Sequence, residues 1–120
     1  MKGLSTLIKL HKRKLDGLRR RMAALENEKA QLEALIGRLR DELARELVLA
    51  GRSPEMGNFF GDFARRIRTR QEQVMVEIAA LDKKMNALRE EISAAFGEMK
   101  KFEIALENAK RREREATNRK

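Results

Sequence analysis

Apolar residues recur at alternating intervals of three and four through residues 4–50, which is the spacing of a coiled-coil seam. The two sets of seam positions run from Leu4 to Glu46 and from Ile8 to Ala50, and eleven of these fourteen positions are apolar. The repeat restarts at Phe60 and continues to Glu113, with fourteen of sixteen seam positions apolar. The pattern predicts two long amphipathic helices, one on each side of a single interruption.

The interruption at residues 51–58 contains the only proline of the chain, Pro54, together with Gly51 and Gly57. Glycine often ends a helix in a left-handed cap, and proline cannot continue one. We therefore expect Gly51 to end the first helix and Asn58 to cap the second. The predicted helices cover about residues 3–50 and 58–118.

A connection of about seven residues is too short to carry the chain back to its starting end, so the two helices must run antiparallel. The sequence thus predicts an all-α fold, a long antiparallel two-helix coiled coil (an α-hairpin) forming a single domain over residues 1–120. At about 1.5 Å per residue the helices measure ~70 and ~90 Å. The second should therefore extend beyond the first as a basic overhang at about residues 108–120.

Polar residues that interrupt the seam predict the register of the two helices, because such residues often select one pairing. They are His11, Lys29, Glu46 and Gln71. Lys29 would lie near Asp82 and Glu46 near Arg65 at one common offset, since each pair of residue numbers sums to 111. The centre of that pairing falls inside the predicted turn.

Composition supports helices and argues against a catalytic or metal site. Aromatic residues make up 4% and charged residues 39% of the chain, which has no cysteine and a single histidine, His11. Disulfides and thiolate or histidine-rich metal sites are therefore excluded, and no glycine-rich phosphate loop occurs. We expect a protein that is not an enzyme and holds no cofactor. No apolar run approaches the ~18 residues of a membrane span, so we expect a cytoplasmic protein without membrane insertion.

Positive charge is concentrated at the two ends of the chain. Of the formal net charge of +9, residues 1–21 hold eight basic residues and one aspartate, a net +7, and residues 100–120 a net +4. In a hairpin both segments meet at the open end. The basic residues considered for binding, here called the basic pole, are Lys12, Arg13, Lys14, Arg19, Arg20, Arg21, Lys110, Arg111, Arg112 and Arg114. They could aid solubility, bind nucleic acid or dock on an acidic protein.

A group of apolar residues lies outside the seam on both sides of the turn. This apolar turn cluster consists of Leu47, Val48, Leu49, Phe59 and Phe63. A two-helix coiled coil buries one stripe per helix, so part of the cluster should be exposed and mark a partner site. The alternative is that the loop folds back and buries it.

Three segments of the chain resemble a known protein family: the two terminal segments and the segment that follows the turn. It opens with TLIKLHKRKLDGLRRRM, restarts at FFGDFARRI and ends with KFEIALENAKRRERE. With these segments the chain resembles the FliJ family of flagellar export proteins and the related YscO-type stalk proteins of injectisomes. The resemblance implies an antiparallel coiled coil that links the export ATPase to the export gate and helps export chaperones to cycle.

Three partners follow from the resemblance: the export ATPase hexamer, the cytoplasmic part of the export-gate membrane protein, and export chaperones. The ATPase ring would contact the basic pole. The gate would contact residues around the turn, namely Leu43, Leu47, Leu49, Phe59, Phe63 and Ile67. The protein would then be cytoplasmic and peripherally associated with the inner face of the cell membrane at the flagellar base. A basic coiled-coil adaptor, scaffold or nucleic-acid-binding protein is the alternative. We expect no nucleic-acid partner, however, because no aromatic residues alternate with the basic ones for base stacking.

Overall fold

A computed structural model of the chain describes residues 2–119. It contains two helices, α1 (Lys2–Ala50) and α2 (Pro54–Asn118), and no strand among the described residues. The fold is all-α, an antiparallel two-helix coiled coil, as the heptad pattern predicts. The end of α1 agrees with the expected one, whereas α2 begins four residues earlier than expected.

The start of α2 at Pro54 corrects the expected start at residue 58. Ser53 caps the helix, because its Oγ accepts a hydrogen bond of 3.2 Å from the backbone N–H of Met56. The N–H of Gly57 donates to the carbonyl of Ser53 at 3.1 Å and begins the regular helical pattern. Proline fits the first helical position, where no N–H is needed and its φ is already helical. Asn58 therefore lies inside the helix and is not its cap.

The expected left-handed cap at Gly51 is also wrong, since none of the described glycines has a positive φ. Instead, α1 ends in a tightened turn. The N–H of Gly51 donates to the carbonyl of Leu47 at 3.3 Å, and that of Arg52 to the carbonyl of Leu49 at 3.0 Å. The second of these bonds spans three residues, which is one of the ways in which the last carbonyls of a helix are satisfied.

Both helices contribute to two compact units. One, here called the turn unit, comprises Ala24–Met85. The other, the terminal unit, comprises Met1–Ala23 with Asn86–Lys120, of which residues 2–23 and 86–119 are described. In each unit the heptad positions form the core, and no buried residue of the described chain is polar or charged.

The core of the turn unit is centred on Val74, which is fully buried, with Leu39, Ile67 and Leu81 also buried. An ion pair joins the two helices at the predicted offset: Lys29 Nζ lies 2.7 Å from Asp82 Oδ1. The predicted offset is therefore confirmed.

The second predicted pair does not form. Arg65 bonds to Asp62 on its own helix, and Glu46 has no ion pair or hydrogen bond to the described residues.

The core of the terminal unit contains Leu15, which is 2% exposed, with Leu18 and Met22 from α1 and Leu88 from α2. Further out, the ring of His11 stacks on that of Phe102, with centroids 5.2 Å apart. Beyond Ala109 every described residue, 110–119, is exposed.

Candidate partner-binding surfaces

All ten residues of the basic pole are exposed, six on α1 and four on α2 of the terminal unit. Only Arg114 makes an ion pair within the described chain, with its Nη2 3.3 Å from Glu107 Oε1. The other nine cations have no carboxylate partner among the described residues. Exposed, unpaired cations attract an acidic partner. At physiological salt this attraction acts over about one Debye length, ~8 Å.

The turn end of the turn unit exposes apolar side chains, as the sequence predicts for part of the apolar turn cluster. Phe59 is 77% exposed, Val48 60% and Leu47 58%, while Leu49 and Phe63 are half-buried. The loop therefore leaves Phe59 uncovered but does not leave Phe63 fully open. Part of the cluster is thus exposed, as predicted, and none of its five residues is fully buried.

Not every residue expected to meet the export gate lies on the surface. Ile67 is 7% exposed and belongs to the seam, and Leu43 is half-buried there. Met56, which the sequence placed in the turn, lies in α2 and is 50% exposed. The sequence could have predicted this position of Met56 from the Ser53–Pro54 pair, because a serine cap followed by proline is a common start of a helix.

A small groove of about 250 Å³ lies beside Met56 and Phe59 in the turn unit. Its apolar lining includes Leu49, Phe60 and Phe63, and its charged lining residues are Glu46, Asp62 and Arg66. Apolar surface edged by a few charged groups is the usual composition of a protein-binding site. The turn unit thus offers one face on which the side chain of a partner could be buried.

The described residues include no group of three or more histidine, cysteine, aspartate or glutamate side chains placed to hold a metal ion. Within residues 2–119, no helix has a stretch apolar and long enough to cross a membrane.

A comparison with models of protein families matches the flagellar FliJ protein family over residues 1–120. The chain belongs to the FliJ family. Comparison with curated proteins and comparison with solved structures each gave no match. As a FliJ-family member the chain is a component of flagellar protein export and associates with that apparatus. This family is a non-catalytic part of the machinery.

Proposed function

We propose that this FliJ-family protein is a stalk that couples the export ATPase ring to the export gate and assists the cycling of export chaperones. The observation that carries the proposal is the basic pole of the terminal unit, with its exposed and mostly unpaired cations. These cations would meet an acidic lining of the ring. The protein would act in the cytoplasm, at the inner face of the cell membrane beneath the flagellum.

A segment that enters a protein ring must be slender, and the terminal unit is two helices thick along its paired part. Phe102 is half-buried and stacked on His11, so it adds little width. Over residues 110–118 α2 continues as a single helix with only exposed side chains. These features favour insertion of the terminal unit, whereas the apolar turn cluster suits a contact with the gate.

The test is removal of residues 108–120, which should lower stimulation of the export ATPase and slow association with its ring. Residues 110–119 are exposed and Ala109 is half-buried, so the deletion removes little seam contact and the fold should persist. The deletion also removes six basic and only two acidic residues. The salt dependence of association should therefore weaken, because electrostatic steering falls with ionic strength and the deletion removes four of the ten basic-pole residues.

Charge reversal gives a matched control for this deletion. Arg111→Glu with Arg112→Glu should reproduce most of the loss of stimulation. Arg38→Glu with Arg40→Glu, at two exposed positions of the turn unit, should leave stimulation unchanged. Normal stimulation by the deleted protein at physiological salt would refute the stalk assignment of this end. Partner capture that disappears on nuclease treatment would favour the nucleic-acid alternative.

A further inference from the structure

The terminal unit carries a second surface, a groove on the flank of its two paired helices. It is open, has a volume of about 450 Å³, and takes lining residues from both helices. They are Arg19, Met22, Arg89, Ile92, Ser93 and Phe96. Met22 is buried and Ile92 half-buried, so the seam itself supplies the apolar floor.

Phe96 forms an apolar wall of this groove at a position where the coiled coil does not need it. It directly follows the seam residue Ala95, and this flanking position usually carries a charged residue. The ring is 42% exposed. Lys100 Nζ lies 5.3 Å from the ring centroid, a cation–π contact that holds the ring beside the groove. Lys100 also bonds to Glu103 at 3.0 Å.

The groove has cationic edges on both helices. Arg19 has no hydrogen bond or ion pair with the described residues, and Arg89 donates only to the amide oxygen of Asn86, at 2.7 Å. None of the described residues that line the groove is a carboxylate. Two guanidinium groups without a carboxylate thus flank an apolar floor, and the guanidinium group is well suited to bidentate pairing with carboxylates.

We propose that this groove binds an acidic amphipathic helix of a partner protein. A helix is the element whose apolar side chains, three and four residues apart, fill a groove along two other helices. One or two of its apolar side chains would rest on Met22, Ile92 and Phe96. Carboxylates one turn away would pair with Arg19 and Arg89. Nucleic acid fits less well, because a phosphate backbone gains nothing from an apolar floor and Phe96 is the only aromatic ring in the groove.

The inference does not depend on the stalk function, and of the basic pole only Arg19 lines the groove. The probes are labelled synthetic peptides of about 18 residues, long enough to form a helix. One has leucines at helical spacing flanked by glutamates, a second has the glutamates replaced by lysines, and a third has the leucines replaced by serines. Binding to the full-length protein is measured by fluorescence anisotropy.

The acidic leucine peptide should bind at least about tenfold more tightly than the other two. Phe96→Ser should weaken its binding by about tenfold, as loss of a central aromatic anchor does, and Phe96→Leu should restore most of it. Arg19→Glu with Arg89→Glu should transfer the preference to the lysine peptide. Met75→Ser and Arg68→Glu, at the same heptad position in the turn unit, should leave binding unchanged.

Three outcomes would overturn the proposal. Equal binding of the glutamate and lysine peptides would remove the charge argument. Unchanged binding to a Phe96→Ser protein with normal far-UV circular dichroism would show that the groove is not the site. A single-stranded oligonucleotide that binds and is weakened by Phe96→Ser would assign the groove to nucleic acid instead. Because no ATPase or gate protein takes part, failure here is distinguishable from failure of the stalk proposal.

Discussion

The ion pair between Lys29 and Asp82 predicts a measurable coupling free energy between the two helices of the turn unit. The perturbation is a double-mutant cycle with Lys29→Met, which keeps most of the aliphatic stem, and Asp82→Asn, which keeps the shape of the side chain. The cycle subtracts what each residue does elsewhere, including the 3.9 Å approach of Lys29 Nζ to Glu33.

The expected coupling is about 0.5–1 kcal/mol, the upper part of the range for ion pairs that are partly exposed. The Nζ–Oδ1 distance of 2.7 Å gives a Coulomb energy of about 1.5 kcal/mol in a water-like dielectric. The side chains are 30% and 46% exposed, so solvent screens the pair, and fixing a long lysine side chain costs conformational entropy. Both effects reduce the net value below the Coulomb figure.

The assay is chemical unfolding of the four proteins followed by far-UV circular dichroism, at low salt and at about 1 M salt, where the Debye length falls to ~3 Å. The coupling should fall at high salt. The control is a second cycle with Glu46→Gln and Arg65→Met, because Glu46 and Arg65 share the same offset but form no ion pair with each other in the structure. That cycle should show a coupling close to zero.

A coupling at Glu46 and Arg65 that equals or exceeds the one at Lys29 and Asp82 would refute this reasoning. So would the absence of coupling in the first cycle. In either case the ion pair would not select the register, and the apolar seam would have to do so alone.

The structure makes two further predictions. Ser53→Ala should destabilise the protein by about 1 kcal/mol, because the hydrogen bond that Ser53 Oγ accepts from the N–H of Met56 is lost. This corresponds to a fall in Tm of roughly 3–5 °C, and Ser53→Asp should restore the stability. Phe59→Ser should weaken binding to the cytoplasmic part of the export-gate protein by about tenfold with almost no change in Tm, because Phe59 is 77% exposed. Val76→Ser, at a similarly exposed apolar residue, should leave gate binding unchanged, and a large fall in Tm for Phe59→Ser would show that the residue supports the fold instead.

The sequence by itself determined the two helices, their antiparallel direction and their register. The apolar seam has to be continuous on one face of each helix, and a one-turn shift would separate Lys29 from Asp82. The exposure of the basic pole also followed from the sequence, because none of its residues occupies a seam position. These features depend on the periodicity of the apolar residues, the length of the connection and the positions of a few charged residues, all of which the sequence shows directly.

Other features were decided only by the tertiary structure. Ser53 and Asn58 are both good caps and Pro54 suits a first helical turn as well as a break, so the start of α2 depended on which cap the turn could accommodate. Arg65 bonds to Asp62, one turn away on its own helix, because residues three apart on a helix are already neighbours. The different exposures of Phe59 and Phe63, and the groove beside Phe96, arise from how side chains from both helices come together, which the order of residues along one chain does not specify.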